Sequence, residues 1–403
     1  MRVAQINMVH YGSTGKIMFQ IAKAAVENGI MMKTFSTFPA SKKWVKLPPA
    51  LDGHTYYGSR IGNNIHFFLG RLAGGYGFHS RFSTWQLIRK LKAFKPDVLH
   101  LHNLHAGYIH LPMLFNYARK TNIQVIWTLH DCWAFTGKCA HFMLANCDKW
   151  QYGCHECPQL RAYPACYIDK TKKLWQQKKR MLTSLEKLIL VTPSQWLADL
   201  TKRSFLKDYP VKVINNGIDL SVFKPMQSEF KKKYGCNDKF VILGVAFGWN
   251  IKKGLDVFLK LAELLDDKYQ IVLVGTDENI NAQLPSNVIA IHRTANQQEL
   301  AEIYSAADLF INPTREENYP TVNMEALACG TPVLTFRTGG SPEIIDETCG
   351  SCVDCDDLQG LINEIERIHD QSPYSKEACL RKAESFDMYC RFKEYVQLYE
   401  QCI

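Results

Sequence analysis

The 403-residue chain contains no run of 18 apolar residues, so no segment reads as a membrane-spanning helix. It also lacks the basic, apolar and small-residue opening of a secretory signal, because the apolar stretch RVAQINM starts at residue 2 and reads as a strand. A cytoplasmic location without a membrane span is the expectation. No internal repeat or low-complexity tract appears. Acidic side chains are scarce in one half only. Residues 1–225 carry 31 Lys and Arg against 11 Asp and Glu, and residues 226–403 carry 17 against 28. The formal charge of +9 therefore conceals halves of opposite sign. A basic half expects an anionic partner, whether nucleic acid, an acidic lipid surface or a phosphorylated substrate.

An NTPase P-loop is absent as well. In HYGSTGKI, His10 stands where that loop needs its first glycine and Ile17 where it needs a hydroxyl. What survives is a strand, a turn with Gly12 and Gly15, and a helix start, an arrangement that favours anions through unpaired amides. A tight turn without a ligand is the plain alternative.

What is present is the make-up of a soluble globular protein, 46% hydrophobic and 22% charged, and long enough for two or three domains. Short β-rich runs alternate with helical patterns. One series comprises residues 2–8, 31–37, DVLHLHN, QVIWTLHD, LILVTPS and VKVINNG; a second comprises FVILGVAF, YQIVLVG, VIAIHR, DLFINP and PVLTF. This alternation predicts an α/β protein with two Rossmann-like domains, with ligands beyond the carboxyl ends of the strands and a shared ligand in an interdomain cleft. The boundaries fall at 1–225 and 226–385, with a linker near 222–236 and a C-terminal helix over 386–403 expected to pack back across the hinge. An insertion at about 132–166 is too long and Cys-rich for an ordinary connection.

The most informative stretch is INPTREENYPTVNMEALACGTPVLTFRTGGSPEIID, residues 311–346. It sets Glu317 in a loop, Glu325 inside the following helix, and two glycine turns behind them. Both carboxylates can face one cleft and accept hydrogen bonds from sugar hydroxyls, while the helix amides hold an anion between them. Taken alone, a pair of solvated glutamates would read the same way.

The pattern Glu, seven residues, Glu-Ala-Leu-Ala-Cys-Gly-Thr-Pro-Val, followed by GGSPEII, resembles the signature of glycosyltransferase family 4, retaining nucleotide-sugar enzymes with the GT-B fold. NNGIDLSVFKP, VTPSQWL, AADLFINP and the early glycine turn extend the resemblance over nearly the whole chain. It implies two facing Rossmann-like domains with a deep cleft. The acidic half would bind a UDP- or GDP-sugar, and the basic half a saccharide acceptor, lipid-linked in many such enzymes, for surface polysaccharide. On this resemblance Glu325 binds the ribose and Glu317 the transferred sugar, with Asn318, Tyr319, Pro320, Thr321 and Val322 near sugar and phosphate. GWNIKKGLDVF matches the family's Lys-Gly stretch. Lys253 takes the pyrophosphate-binding lysine position; Gly248 stands where an arginine is usual, and Lys252 is its substitute. Arg293 joins the donor-side candidates, and Gly15 faces the donor from the first domain. His130 matches a position near donor sugar and phosphate; Thr14, Lys16, His102 and His105 fall on the acceptor side. The catalytic candidates are thus His130, Glu317 and Lys253. Retention in this family is explained by front-face attack, and no nucleophile is named.

Charge leaving on the nucleoside diphosphate needs cations and amides to stabilise it if no metal does so, and no catalytic metal is expected. Asp354 and Asp356 form a literal Asp-x-Asp, but they precede a helix where Asp is an ordinary cap. Cys139, Cys147, Cys154 and Cys157 contain a single C-x-x-C, and they leave open a structural zinc, free thiols or disulfides, with His141 and His155 as alternative ligands. Residues 56–95 interleave aromatics with seven Lys or Arg, and DKTKKLWQQKKR adds a cationic helix face. Such surfaces suit peripheral contact with an anionic membrane, or a soluble basic domain. The rival readings are a nucleotide-sugar epimerase of the same fold and a basic nucleic-acid or membrane-binding module; no nucleic-acid partner is expected.

Overall fold

Strands buried on both faces need nearly continuous apolar sequence, and the chain supplies it twice. A computed structural model describes residues 1–38 and 52–402, and its chain divides into two units, Met1–Asn215 with Arg391–Ile403, and Asn216–Cys390. In the first unit β1 (Arg2–Ile6), β2 (Met31–Thr37), β3 (His54–Tyr57), β4 (Val98–Leu101), β5 (Gln124–Thr128), β6 (Leu188–Thr192) and β7 (Val211–Val213) form a parallel sheet in the order β3-β2-β1-β4-β5-β6-β7. In the second, β8 (Phe240–Val245), β9 (Tyr269–Val274), β10 (Val288–Ile291), β11 (Leu309–Asn312), β12 (Val333–Phe336) and β13 (Gly350–Val353) form a parallel sheet in the order β10-β9-β8-β11-β12-β13.

Each order grows outward from its first strand in one direction and then reverses. The reversal falls between β1 and β4 in the first sheet and between β8 and β11 in the second. Loops leaving the carboxyl ends of those strands diverge to opposite faces and leave a crevice, the place where doubly wound sheets take ligands. The turn before helix Gly12–Glu27 follows β1, His102–His105 follow β4, the Lys252-Lys253 turn follows β8, and the Glu317 loop follows β11.

Three differences from the sequence reading have simple causes. Strand β3 lies at the sheet edge with only Tyr57 buried, and β13, Gly-Ser-Cys-Val, opens on a glycine; neither has the apolar run that marks the other strands. The boundary expected at 225/226 lies at 215/216, because the Ile218 amide donates to Phe386 O at 2.9 Å and Met388 N to Ile218 O at 3.0 Å, tying residue 218 to the second unit. Residues from Arg391 onward belong to the first unit, where Tyr395 and Tyr399 of helix Met388–Glu400 are buried against His100.

Candidate active site

In the second unit, the loop after β11 and the turn after β8 are bolted together by backbone. Gly254 has φ +75°, and a Cβ there would lie 2.5 Å from Pro313 O, so only glycine lets the two segments meet. The Arg315 amide donates to Lys252 O at 2.9 Å, and the Asn250 side chain caps the turn by accepting from Lys252 N at 2.8 Å. Two consecutive lysines then face two consecutive glutamates. Lys252 Nζ donates to Glu316 Oε2, and Lys253 Nζ to Glu317 Oε2 at 2.7 Å. Arg315, itself buried, anchors the loop from below with both Nη atoms on Asp256 at 2.8 Å and Nε on Asp356 at 2.6 Å. Those bonds hold the Asp256 carboxyl below its ordinary range, and Arg337 pairs with Asp354 at 3.1 Å. Both aspartates of the literal Asp-x-Asp are thus engaged by arginines, and the cap of the following helix is Asp357.

Glycine turn Gly339-Gly340 closes the other side. A Cβ on Gly339, at φ +56°, would fall 1.9 Å from Glu317 O, and Gly340 N donates to Asn318 O at 2.8 Å. Asn318, Tyr319 and Pro320 are buried here, and helix Thr321–Ala328 opens on Pro320 without a side-chain cap, so its first amides carry the positive end of the helix dipole. Thr321, Val322 and Glu325 are half-buried, and Glu325 Oε2 accepts from the buried Tyr304 hydroxyl at 3.2 Å. Arg293 is exposed beyond edge strand β10, two strands from β8. The sequence reading missed Glu316, Arg315 and Tyr304. The adjacent pairs Lys-Lys and Glu-Glu were a signal for the first. Glu316 is the buried member of its pair, and its Oε1 has no partner among the described residues.

The first unit presents a different chemistry. Gly15 is buried, and a Cβ there would meet the His10 backbone at 2.4 Å, so this glycine is required by its own turn. Thr14 Oγ1 accepts from Asn7 Nδ2 at 3.2 Å, and Lys16 is exposed. Behind the turn runs a chain of rings. His100 lies between Tyr399 Oη (2.6 Å) and Thr128 Oγ1 (2.8 Å); His102 between His130 Nε2 (3.1 Å) and Gln5 Oε1 (3.3 Å). His105 Nε2 meets Asp131 Oδ2 at 2.9 Å, and its Nδ1 meets the Tyr163 hydroxyl at 3.1 Å. Burial pushes His100 down to about 3 and His130 to about 4, the latter only partly countered by the Asp131 charge, and it pushes His102 well down. These three rings are neutral at pH 7. Burial alone would raise Asp131, but the charge and hydrogen bond of His105, aided by His141 and the Trp133 amide, hold it low. His102 and His105 are therefore interior, hydrogen-bonded residues that support His130 and Asp131. Tyr163, contributed by the Cys-rich insertion, carried no periodicity that would have marked it.

That insertion folds around Trp133, Phe135, Phe142 and Trp150 as part of the first core. All its cysteines are free thiols, and among the described residues no group of three or more His, Cys, Asp or Glu side chains is arranged to hold a metal ion. Cys139 lies beside Cys157, Cys154 Sγ accepts from Gly137 N at 3.1 Å, and His155 Nδ1 donates to Gly153 O at 2.8 Å. The neighbouring Cys139 thiol pulls the Cys157 thiol down against its burial.

Two doubly wound parallel sheets, each with its polar residues gathered at the point where strand order reverses, are the sheets of the GT-B fold. The chain superposes on sucrose-phosphate synthase from Thermosynechococcus elongatus with a TM-score of 0.70 at 17% identity, covering 99% of this chain and 98% of the other. Against Anabaena HepE, solved with UDP and glucose, the TM-score is 0.65 at 15% identity over all of both chains. Residues 48–222 match the model described as Glycosyltransferase Family 4, and residues 238–371 the model described as Glycosyl transferases group 1. The chain belongs to glycosyltransferase family 4. It is 26% identical over 275 residues to WcaC of Escherichia coli (strain K12), named as a candidate colanic acid biosynthesis glycosyl transferase, and covers 66% of that protein's length, just under two thirds.

Proposed function

We propose that this protein transfers a hexosyl group from a UDP- or GDP-sugar to a saccharide acceptor, lipid-linked, in surface polysaccharide synthesis, with retention of anomeric configuration. The observation that carries this reading is the double ion pair, Lys252 with Glu316 and Lys253 with Glu317, beside the uncapped start of helix Thr321–Ala328. Paired lysines and free amides are what a departing diphosphate requires, and paired carboxylates are what sugar and ribose hydroxyls require. Glu325 takes the ribose, Glu317 the transferred sugar, and Lys252, Lys253 and the amides of Thr321 and Val322 the diphosphate, without a catalytic metal. The acceptor hydroxyl attacks the anomeric carbon on the face from which the diphosphate departs. The carbon–oxygen bond to phosphate breaks as the new glycosidic bond forms, and the acceptor proton passes to the departing phosphate oxygen. His130, neutral and braced by His102, orients hydroxyls on the first-unit side. The HepE complex with UDP and the WcaC name favour the nucleotide-sugar and polysaccharide parts of the reading.

Thermal-shift titration with UDP, GDP and their sugars tests it. A bound ligand at about 100 times its Kd stabilises the fold by about 2.7 kcal/mol, so the matching nucleotide raises Tm by several degrees. If neither nucleotide nor any of their sugars stabilises the protein, the proposal fails. Donor alone should release free sugar slowly; conversion to a sugar isomer would identify an epimerase instead.

A further inference from the structure

Helix Arg60–Ala73 is built inside out. The face it turns to the protein carries Asn63, His66 and Gly70, all buried. Asn63 Nδ2 donates to Thr37 Oγ1 and to Phe38 O at 3.3 Å, His66 Nδ1 meets Ser80 Oγ at 2.7 Å, and Gly70 lies so close to the Tyr76 ring that a Cβ would approach it to 2.6 Å. The face it turns outward carries Ile61, Ile65, Phe68 and Leu72 at spacings of four, three and four, 44–74% exposed. Surface helices of a water-soluble domain have the opposite arrangement. The stripe continues past the helix end, where the amides of Tyr167 and Ile168 both bond Leu72 O and their own side chains are exposed. Around that end Arg161 and Arg71 lie over the Tyr167 ring at 4.2 and 5.8 Å.

The charge around this stripe is mainly of one sign; the exception is Asp169, next to Ile168, whose carboxylate accepts from Cys157 N, Thr171 N and Thr171 Oγ1. Residues 53–96 contain seven Lys or Arg and no Asp or Glu. Helices Arg60–Ala73, Arg81–Phe94, Leu111–Thr121 and Thr171–Leu182 carry no acidic residue at all. A second copy seated on the stripe by twofold symmetry would set cation against cation. An anionic bilayer supplies both the apolar phase for Ile61, Ile65, Phe68 and Leu72 and the counter-charge for Arg71 and Arg161. With 14 residues, the helix lies along such a surface instead of crossing it.

We propose that the outer face of helix Arg60–Ala73, extended by Tyr167 and Ile168, is a membrane-docking surface that inserts its apolar stripe into the headgroup region of an anionic bilayer. The surface stands on its own residues and does not depend on the transfer reaction. Flotation of the full-length protein with phosphatidylcholine vesicles, alone or mixed with phosphatidylglycerol, measures it. The protein should float with the anionic vesicles and release as salt is raised. The double variant Ile65→Ser, Phe68→Ser should lower the partition coefficient by about tenfold or more, since each large apolar side chain withdrawn from the interface removes a full burial term. Arg71→Gln with Arg161→Gln should lower it by about tenfold at low salt. Unchanged Tm and unchanged UDP or GDP thermal shift in each variant keep the loss specific, and Ile61→Ser serves if the double variant unfolds. Absence of flotation with either vesicle, or flotation untouched by the double variant, overturns the proposal. So does a wild-type dimer that the double variant converts to monomer, which would assign the face to a second copy.

Discussion

The two strand-reversal points occupy the same place in two sheets of the same design, yet they are furnished by opposite means. In the second unit the groups are charged and paired: Lys252 with Glu316, Lys253 with Glu317, Arg315 with Asp256 and Asp356. In the first unit they are neutral and hydrogen-bonded: His100, His102 and His130, all depressed by burial, bonded to Tyr399, Thr128, Gln5 and one another. Fixed cations hold a group that carries fixed negative charge. Neutral imidazoles that both donate and accept orient hydroxyls without competing for the phosphate. The topology thus supplies the location, and the local burial of charge decides which half of a transfer reaction each location suits.

Removing one group from each side sharpens this contrast. Lys253→Ala takes a cation from the developing diphosphate charge and is expected to lower kcat/KM by about 100- to 1000-fold. His130→Asn removes one neutral hydrogen bond and should cost about tenfold. Steady-state kinetics with the matched donor checks both, and a larger loss in His130→Asn would reverse the assignment of the two sides.

The glycines test whether each loop is held by backbone contact. Gly339→Ala forces a Cβ against Glu317 O, and Gly15→Ala forces one against the His10 backbone. Each should destabilise its own unit by about 2–3 kcal/mol. Only Gly339→Ala should also weaken donor binding, because it moves the carbonyl of Glu317. Denaturant melts paired with UDP or GDP titration separate the two effects.

Acid should reach the first unit before the second. Eleven of the thirteen histidines lie in the first unit, and burial lowers His66 and His100 to about 3 and His54, His110 and His130 to about 4. A histidine that stays neutral when folded but protonates when unfolded costs stability as pH falls below its ordinary value near 6.5, and the loss runs down to the folded value. In the second unit the depressed groups are carboxylates, such as Asp346, lowered to about 2 chiefly by Thr348, and Asp256; their contribution is complete above about pH 4 and is lost only below it. Between pH 6.5 and 4.5 the first unit should therefore lose stability, by up to about 2 kcal/mol for each such histidine, while the second holds. Hydrogen exchange read separately at β4 and β5 and at β8 and β11 checks the order; simultaneous loss would show that the two units unfold as one.

Much of this arrangement was legible in the sequence, and the failures share a cause. Eleven strands announced themselves by apolar runs, and Glu317, Glu325 and Lys253 by the words around them. Glu316 could not be told from Glu317 by type. Which of two adjacent carboxylates is buried depends on how the loop is pinned, by Gly254 against Pro313 and Gly339 against Glu317, and such contacts join residues 59 and 22 positions apart. Tyr163 meets His105 across 58 positions from an insertion with no helical or strand period. The cysteines show the same limit, since spacing left zinc, free thiols and disulfides open, and only the fold brings Cys154 Sγ to the Gly137 amide.

The smallest expected effect bears on Lys16, an exposed cation at the first reversal point. Lys16 lies near the start of helix Gly12–Glu27, which has neither a side-chain cap nor an acidic residue in its first turn. A cation near a helix start opposes the dipole, so its removal should stabilise the unit slightly, by about 0.3 kcal/mol. If the diphosphate is held entirely by the second unit, Lys16→Ala leaves donor KM within about threefold, the scale of a lost exposed charge contact. A tenfold rise in donor KM would instead give the first unit a fixed charge on the donor and erase the division between a charged side and a neutral one.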